Sequence, residues 1–254
     1  MGYLAKPSST CCLKGTIHDG EPQGKFATVA NVETYISQPE EGNANGNIVL
    51  YFADIWGISQ NARLIMDSLA CSGYLTLGLD YFQGDDISKH MSADEKFAEG
   101  FDFEAWKAKH IAFAQANVLT WIDEVKVKYG KSVTKYACVG YCFGAPYVMD
   151  GLAGDTFAAG AFAHPAFLTE QHFKSAKKPL FLSCAAKDVA FEADARRTAV
   201  GILQEIETPH HVQLFSGVEH GFALRGNITN PYERYAKEES LRGITAWFDF
   251  WLSQ

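Results

Sequence analysis

Hydrophobic positions change rhythm along this 254-residue chain, and each rhythm predicts a different element. Through residues 1–25 no period is sustained. Glycine, proline, serine and threonine punctuate the stretch, which predicts a turn-rich leader lying over the surface. Over 26–37, FATVANVETYIS, apolar and polar residues alternate and β-branched residues accumulate, the period of a half-exposed strand. After a loop carrying Asn-Gly, the alternation gives way to short apolar runs, NIVLYFA (47–53) and YLTLGLD (74–80). Runs of that kind are expected of strands covered on both faces. Between them SQNARLIMDSLACSG (59–73) predicts a helix, with Ser59 as N-cap and Gly73 as its stop.

The same alternation continues to the end. A helix is predicted over about 105–129, where Ile111, Val118, Ile122 and Val125 form one stripe and Gly130 closes it. VTKYACVG (strand), FGAPYVMDGL (helix), FAAGAFAH (strand) and KPLFLSCAAKD (strand and loop) follow. Then come a helix near 192–206, the strand HHVQLFSG and an amphipathic helix over about 233–252. With no internal repeat or linker, strands alternating with helices predict one α/β domain over 1–254. Its central sheet is mainly parallel, with helices on both faces. Ligand sites in such sheets lie at the carboxyl ends of the strands. The segment 84–104, GDDISKHMSADEKFAEGFDFE, is polar and irregular and is the predicted lid.

Composition narrows the partners more than the fold. A net charge of −8 argues against nucleic acid or an anionic membrane as the main partner. The leader has no apolar run suited to a signal peptide or a membrane span. A cytoplasmic protein acting on a small molecule, as monomer or homodimer, is expected. The six cysteines match no zinc framework, so neither metal nor cofactor is expected. Cys71, Cys138 and Cys184 lie in apolar surroundings and read as buried free thiols. Cys11 and Cys12, adjacent in a polar leader, read as thiols without a role.

Cys142 is different. Gly140-Tyr141-Cys142-Phe143-Gly144 has the spacing of the strand–turn–helix elbow G-x-S-x-G, with sulfur in place of oxygen. The turn lifts a nucleophile above the sheet, and the helix start beyond it favours thiolate over thiol. Chain order supplies partners: Asp188 follows the strand PLFLSCAAK and His220 follows HHVQLFSGVE, the order nucleophile, acid, histidine. A Cys142–Asp188–His220 triad is therefore predicted. Its oxyanion hole would be the backbone N–H groups of Phe143 and of Ile55, after the strand ending at Ala53. Trp56 would wall the pocket, Tyr81 would donate to substrate or pack, and His164, after its own strand, would line the site.

These motifs, ADIWG (53–57), LDYF (79–82), VGYCFGA (139–145), AAKD (185–188) and EHGFALR (219–225), resemble the dienelactone hydrolase family of α/β-hydrolases, in particular its fungal members. The resemblance runs from about residue 26 to the C-terminus. It implies a cysteine hydrolase that opens a lactone or cleaves an ester or thioester through a thioester intermediate, with no cofactor. It places Asp54 where the type enzymes carry a glutamate that modulates the thiol. It also places Arg225 one residue from a substrate-binding arginine, while Gln83 and Gly84 follow Phe82 where another arginine is expected. Two other readings use the same residues: a non-hydrolytic biosynthetic enzyme performing cyclisation or isomerisation, and an idle scaffold with a binding role. An amidotransferase would want His-x-Glu late in the chain, where Glu219-His220-Gly221 stands instead.

Overall fold

The computed structural model describes residues 2–92 and 96–254. Its elements in chain order are β1 (Tyr3–Ala5), β2 (Lys25–Val29), β3 (Val32–Ser37), β4 (Ile48–Phe52), α1 (Gln60–Cys71), β5 (Leu75–Leu79) and α2 (Phe103–Tyr129). Next are β6 (Tyr136–Tyr141), α3 (Ala145–Leu152), β7 (Ala159–Ala163), β8 (Leu168–Thr169), α4 (Glu170–Lys174), β9 (Leu180–Lys187) and α5 (Ala193–Glu205). The chain closes with β10 (His210–Glu219), α6 (Phe222–Arg225) and α7 (Pro231–Ser253).

Eight strands form one sheet in the order β10-β9-β7-β6-β4-β5-β3-β2. From β10 to β5 all neighbours are parallel; β3 runs against β5, and β2 against β3. Every residue of β4 and β7 is buried, which is why both read as unbroken apolar runs. The chain steps one way from β4 to β5 and the opposite way from β6 to β7. Right-handed crossovers therefore put α1 and α3 on opposite faces. The point of reversal, between the carboxyl ends of β4 and β6, is where such a sheet opens a binding crevice.

Three expectations are corrected. The single strand over 26–37 is a hairpin, β2 and β3, because Ala30 and Asn31 both take positive φ (+49° and +61°) and turn the chain in two residues. Cys71 ends α1 facing solvent and is exposed, while Cys138 and Cys184 are buried. The leader does not stay on the surface. β1 pairs with β8, and Ser8, Cys12, Leu13 and His18 are buried. Its inward course is held by Thr16 N–H to the Arg225 carbonyl (2.9 Å), Asn61 Nδ2 to the Thr16 carbonyl (2.8 Å) and Lys107 Nζ to the Ser8 carbonyl (3.2 Å). Of the predicted lid, 93–95 lie outside the described residues; Ile87–His90 forms a 3₁₀ turn and Met91 bridges Phe97. Among the described residues, no helix is long and apolar enough to cross a membrane.

Candidate active site

β6 ends at Tyr141, and Cys142 opens a 3₁₀ turn, Cys142–Gly144, that runs into α3. Cys142 has φ +48°, a left-handed conformation that costs a non-glycine residue free energy and persists only where its surroundings enforce it. The glycines on either side are required by space. A Cβ on Gly140 would lie 2.6 Å from the Gly144 carbonyl oxygen, and one on Gly144 would overlap the carbonyl of Phe52 on β4. The Cys142 side chain is fully buried. Its Sγ lies 3.3 Å from Ser8 Oγ and 3.4 Å from Cys12 Sγ, so the leader covers it.

Asp188 follows β9, and His220 follows β10, its parallel neighbour. Parallel pairing brings both strand ends to one edge of the sheet, and His220 Nδ1 lies 3.0 Å from each Asp188 oxygen. Oδ1 also accepts the N–H groups of Ala190 (2.8 Å) and Phe191 (3.2 Å), which fixes the carboxylate. Burial pushes the Asp188 pKa upward, but the imidazole and these hydrogen bonds outweigh it and leave the pKa below its ordinary value. Burial likewise opposes the charge on His220, yet the Cys12 sulfur and the Asp188 carboxylate raise its pKa well above normal. With Nδ1 committed to Asp188, Nε2 is buried and has no hydrogen-bond partner among the described residues. The sulfurs of Cys11 and Cys12 and a ring nitrogen of His220 all lie within 4.8 Å of one another.

The loop after β4 borders the elbow. The Asp54 carboxylate accepts the Trp56 N–H (3.0 Å) and pairs with the Arg225 guanidinium, both side chains buried. Arg225 also donates to the Cys12 carbonyl (3.1 Å) and sits over the Trp56 ring, 5.3 Å from its centroid. Trp56 Nε1 donates to that same carbonyl (2.9 Å). Asp54, Trp56 and Arg225 are thus brought together, around the leader rather than around Cys142. Among the described residues the Ile55 N–H has no acceptor. The Phe143 N–H belongs to the first turn of the elbow, where helical amides lack internal partners. Tyr81 is fully buried, donates to the Ala53 carbonyl and packs on Phe143 (5.3 Å between centroids). His164 is buried edge-on to His220 with centroids 5.0 Å apart, and neither of its nitrogens has a partner among the described residues. Burial, chiefly, holds its pKa well below normal, so the ring is neutral.

A cleft of about 740 Å³ opens beside the pair, lined by Cys11, Lys14, Phe97, Lys187, Val189 and His220 among others. Sequence reading missed Ser8 and Cys12. The signal was there: a doublet of thiols in a stretch with no periodicity to account for it.

Comparison with known proteins identifies the family and the fold. A family model described as the dienelactone hydrolase family matches residues 32–252. Two proteins of Gibberella moniliformis, named Dienlactone hydrolase 1 and 2, are 42% and 38% identical to this chain. Each alignment covers 99% of this chain, and 97% and 98% of those proteins respectively. Among solved structures, a dienelactone hydrolase-like promiscuous phosphotriesterase from metagenomic libraries superimposes with a TM-score of 0.67 at 14% identity. That match covers 90% of this chain and 97% of the other and speaks for the α/β-hydrolase fold.

Proposed function

Because the chain belongs to the dienelactone hydrolase family, we propose that it is a hydrolase of lactones, esters or thioesters that works through a Cys142–His220–Asp188 triad. The observation that carries this reading is the His220 imidazole. Asp188 fixes its Nδ1, and its Nε2 is buried without a hydrogen-bond partner among the described residues, next to Cys12, whose sulfur in turn lies 3.4 Å from the elbow thiol. A proton-shuttling histidine needs its tautomer set by a carboxylate in this way and its other nitrogen left free for the nucleophile.

Cys142 as thiolate attacks the substrate carbonyl, with its proton held on His220 Nε2. The oxyanion forms against the Phe143 and Ile55 N–H groups, preorganised donors that gain strength in a buried site. Collapse expels the alkoxide, which takes the proton from His220 and leaves a thioester on Cys142. With a lactone the new hydroxyl remains tethered to the acyl group. Neutral His220 then takes a proton from water, hydroxide adds to the thioester, and collapse releases the acid and the thiolate. Substrate reaches Cys142 by displacing the leader side chains that cover it, Ser8 and Cys12.

Asp54 and Arg225 are assigned to the scaffold of the oxyanion loop in this reading. Asp54 is tied to Arg225 and the Trp56 N–H, and Arg225 to Asp54 and the leader, so neither is free to hold the thiol or a substrate carboxylate. A substrate without an obligatory carboxylate follows. Trp56 walls the site through the leader, Tyr81 buttresses Phe143, and His164 is a neutral neighbour of the base.

The test is hydrolysis of a panel of p-nitrophenyl esters and small lactones by Cys142→Ala and by Cys12→Ala. Loss of about 10³-fold or more in kcat/KM is expected for Cys142→Ala alone. Wild-type rates in Cys142→Ala with loss in Cys12→Ala would move the nucleophile to the leader and overturn the assignment.

A further inference from the structure

We propose that Cys11, Cys12 and His220 form a binding site for a thiophilic divalent cation of the Zn²⁺ type. Four observations converge on it. The sulfurs of Cys11 and Cys12 stand 3.8 Å apart. That is the edge of a tetrahedron around zinc, since two Zn–S bonds of about 2.3 Å at the tetrahedral angle span about 3.8 Å. A His220 nitrogen lies within 4.8 Å of both sulfurs, a separation that small side-chain movements close onto one ion. The His220 side chain is 2% exposed, and its Nε2 is buried without a partner among the described residues. Finally, Asp188 accepts at Nδ1, the outer contact that metal-ligating histidines almost always make and that aims Nε2 at the ion.

The leader is preorganised for this. Trp56 Nε1 and Arg225 both grip the Cys12 carbonyl, so the thiol pair is presented by a fixed backbone. Cys11 lines the cleft beside His220, which gives the ion a way in and leaves the fourth position to water. Binding releases to solvent the two thiol protons and the proton that His220 carries at Nε2; the imidazole then binds as the neutral ring and no electrons move. Soft sulfur ligands with one imidazole select zinc over magnesium or calcium. An occupied Nε2 can no longer carry a proton, so the ion also switches hydrolysis off. That consequence rests on the triad proposed above, whereas the binding itself does not.

The experiment is titration of the reduced full-length chain, and of its Cys142→Ser variant, with Zn²⁺ against a chromophoric chelator and with Co²⁺ as a spectroscopic probe. One ion per chain and thiolate-to-cobalt charge-transfer absorption are expected in both, because Cys142 is not a ligand. Cys11→Ser and Cys12→Ser should abolish the absorption, and Asp188→Asn should weaken binding about 10–100-fold. A measurement on the wild type alone guards against misfolded variants. Zn²⁺ should protect Cys11 and Cys12 from alkylation while exposed Cys71 reacts at an unchanged rate. No binding by the wild type, undiminished binding in Cys11→Ser and Cys12→Ser, or equal protection of all three thiols overturns the proposal. Inhibition by Zn²⁺ reversed by EDTA would tie the site to catalysis. Binding without inhibition would leave the ion site standing and count against His220 as the base.

Discussion

Among the described residues, two aspartates hydrogen-bond imidazoles, at opposite ends of what such a pair can do. Asp188 is buried and holds one, His220, through both oxygens. Asp85, 30% exposed, holds two: His90 Nε2 at 2.6 Å and His110 Nε2 at 3.1 Å, together with Lys109 Nζ at 2.7 Å. Its own carbonyl accepts Trp106 Nε1 (2.8 Å). His110 is as buried as His220, but its ring meets Phe82 and Trp106 edge-on, with centroids 5.1 and 4.8 Å away. The pKa values move in opposite directions. Burial dominates at His110 and lowers it, while at His220 a sulfur and a carboxylate overcome burial and raise it. An aspartate–histidine pair therefore does not mark a catalytic site. What the far side of the ring faces decides it, and His220 faces thiols.

The largest expected effect tests that distinction. Asp188→Asn should reduce kcat by about 10³–10⁴-fold, as loss of the orienting carboxylate does in related triads. His110→Gln should leave kcat/KM within about tenfold, since its pair lies outside the proposed triad. Comparable losses in the two variants, measured on the same ester, would break the comparison.

The contrast also shows what a sequence can and cannot reveal. The placement of Cys142, Asp188 and His220 at strand ends was legible because parallel strand ends converge on one edge of the sheet whatever the side chains do. Gly140 and Gly144 were legible because only glycine clears the backbone of the elbow. The turn at Ala30-Asn31 was not, since it lacks the glycine that normally announces a two-residue hairpin. Cys12 was not, because its burial depends on Trp56 and Arg225, 44 and 213 positions away. The Asp54–Arg225 pair spans 171 positions and was equally hidden. Local patterns predict elements and the ends of elements. Contacts between loops need the fold.

A second prediction concerns access to the elbow thiol of Cys142. Cys142 has no exposed surface, and Cys12 Sγ rests 3.4 Å from its sulfur. Cys12→Gly opens that contact and should speed iodoacetamide alkylation of Cys142 by about tenfold or more, on the scale at which access controls thiol reactivity. Peptide mapping checks it against Cys71, whose rate should not change. An unchanged Cys142 rate would mean that the leader does not gate the nucleophile.

The Asp85 hub should matter for stability instead. Asp85→Asn weakens three charge-assisted contacts on a side chain that is partly solvated, so a cost of about 1–2 kcal/mol is expected after allowing for screening. The denaturant midpoint should fall with an unchanged slope, and kcat/KM should hold. A matching collapse of kcat/KM in the folded variant would make Asp85 part of the catalytic machinery.

The smallest effect carries the sharpest sign. His220 has a folded pKa raised above 6.5, so its contribution to stability is complete below 6.5 and is lost as pH rises through the raised value. His110 has a folded pKa below 6.5; the unfolded chain takes its proton first, and stability falls as pH drops from 6.5 through the lowered value. Melting temperatures recorded from about pH 5 to 9 should therefore separate the two rings by direction as well as size. His220→Gln should flatten the decline on the alkaline side, and His110→Gln the decline on the acid side. The Asp188 carboxylate lies outside that window: its contribution is present above 3.8 and is lost only as pH falls through the lowered value. If both histidine variants flattened the same side, the two imidazoles would share one electrostatic environment, and the distinction between a ring facing thiols and a ring facing aromatics would fail.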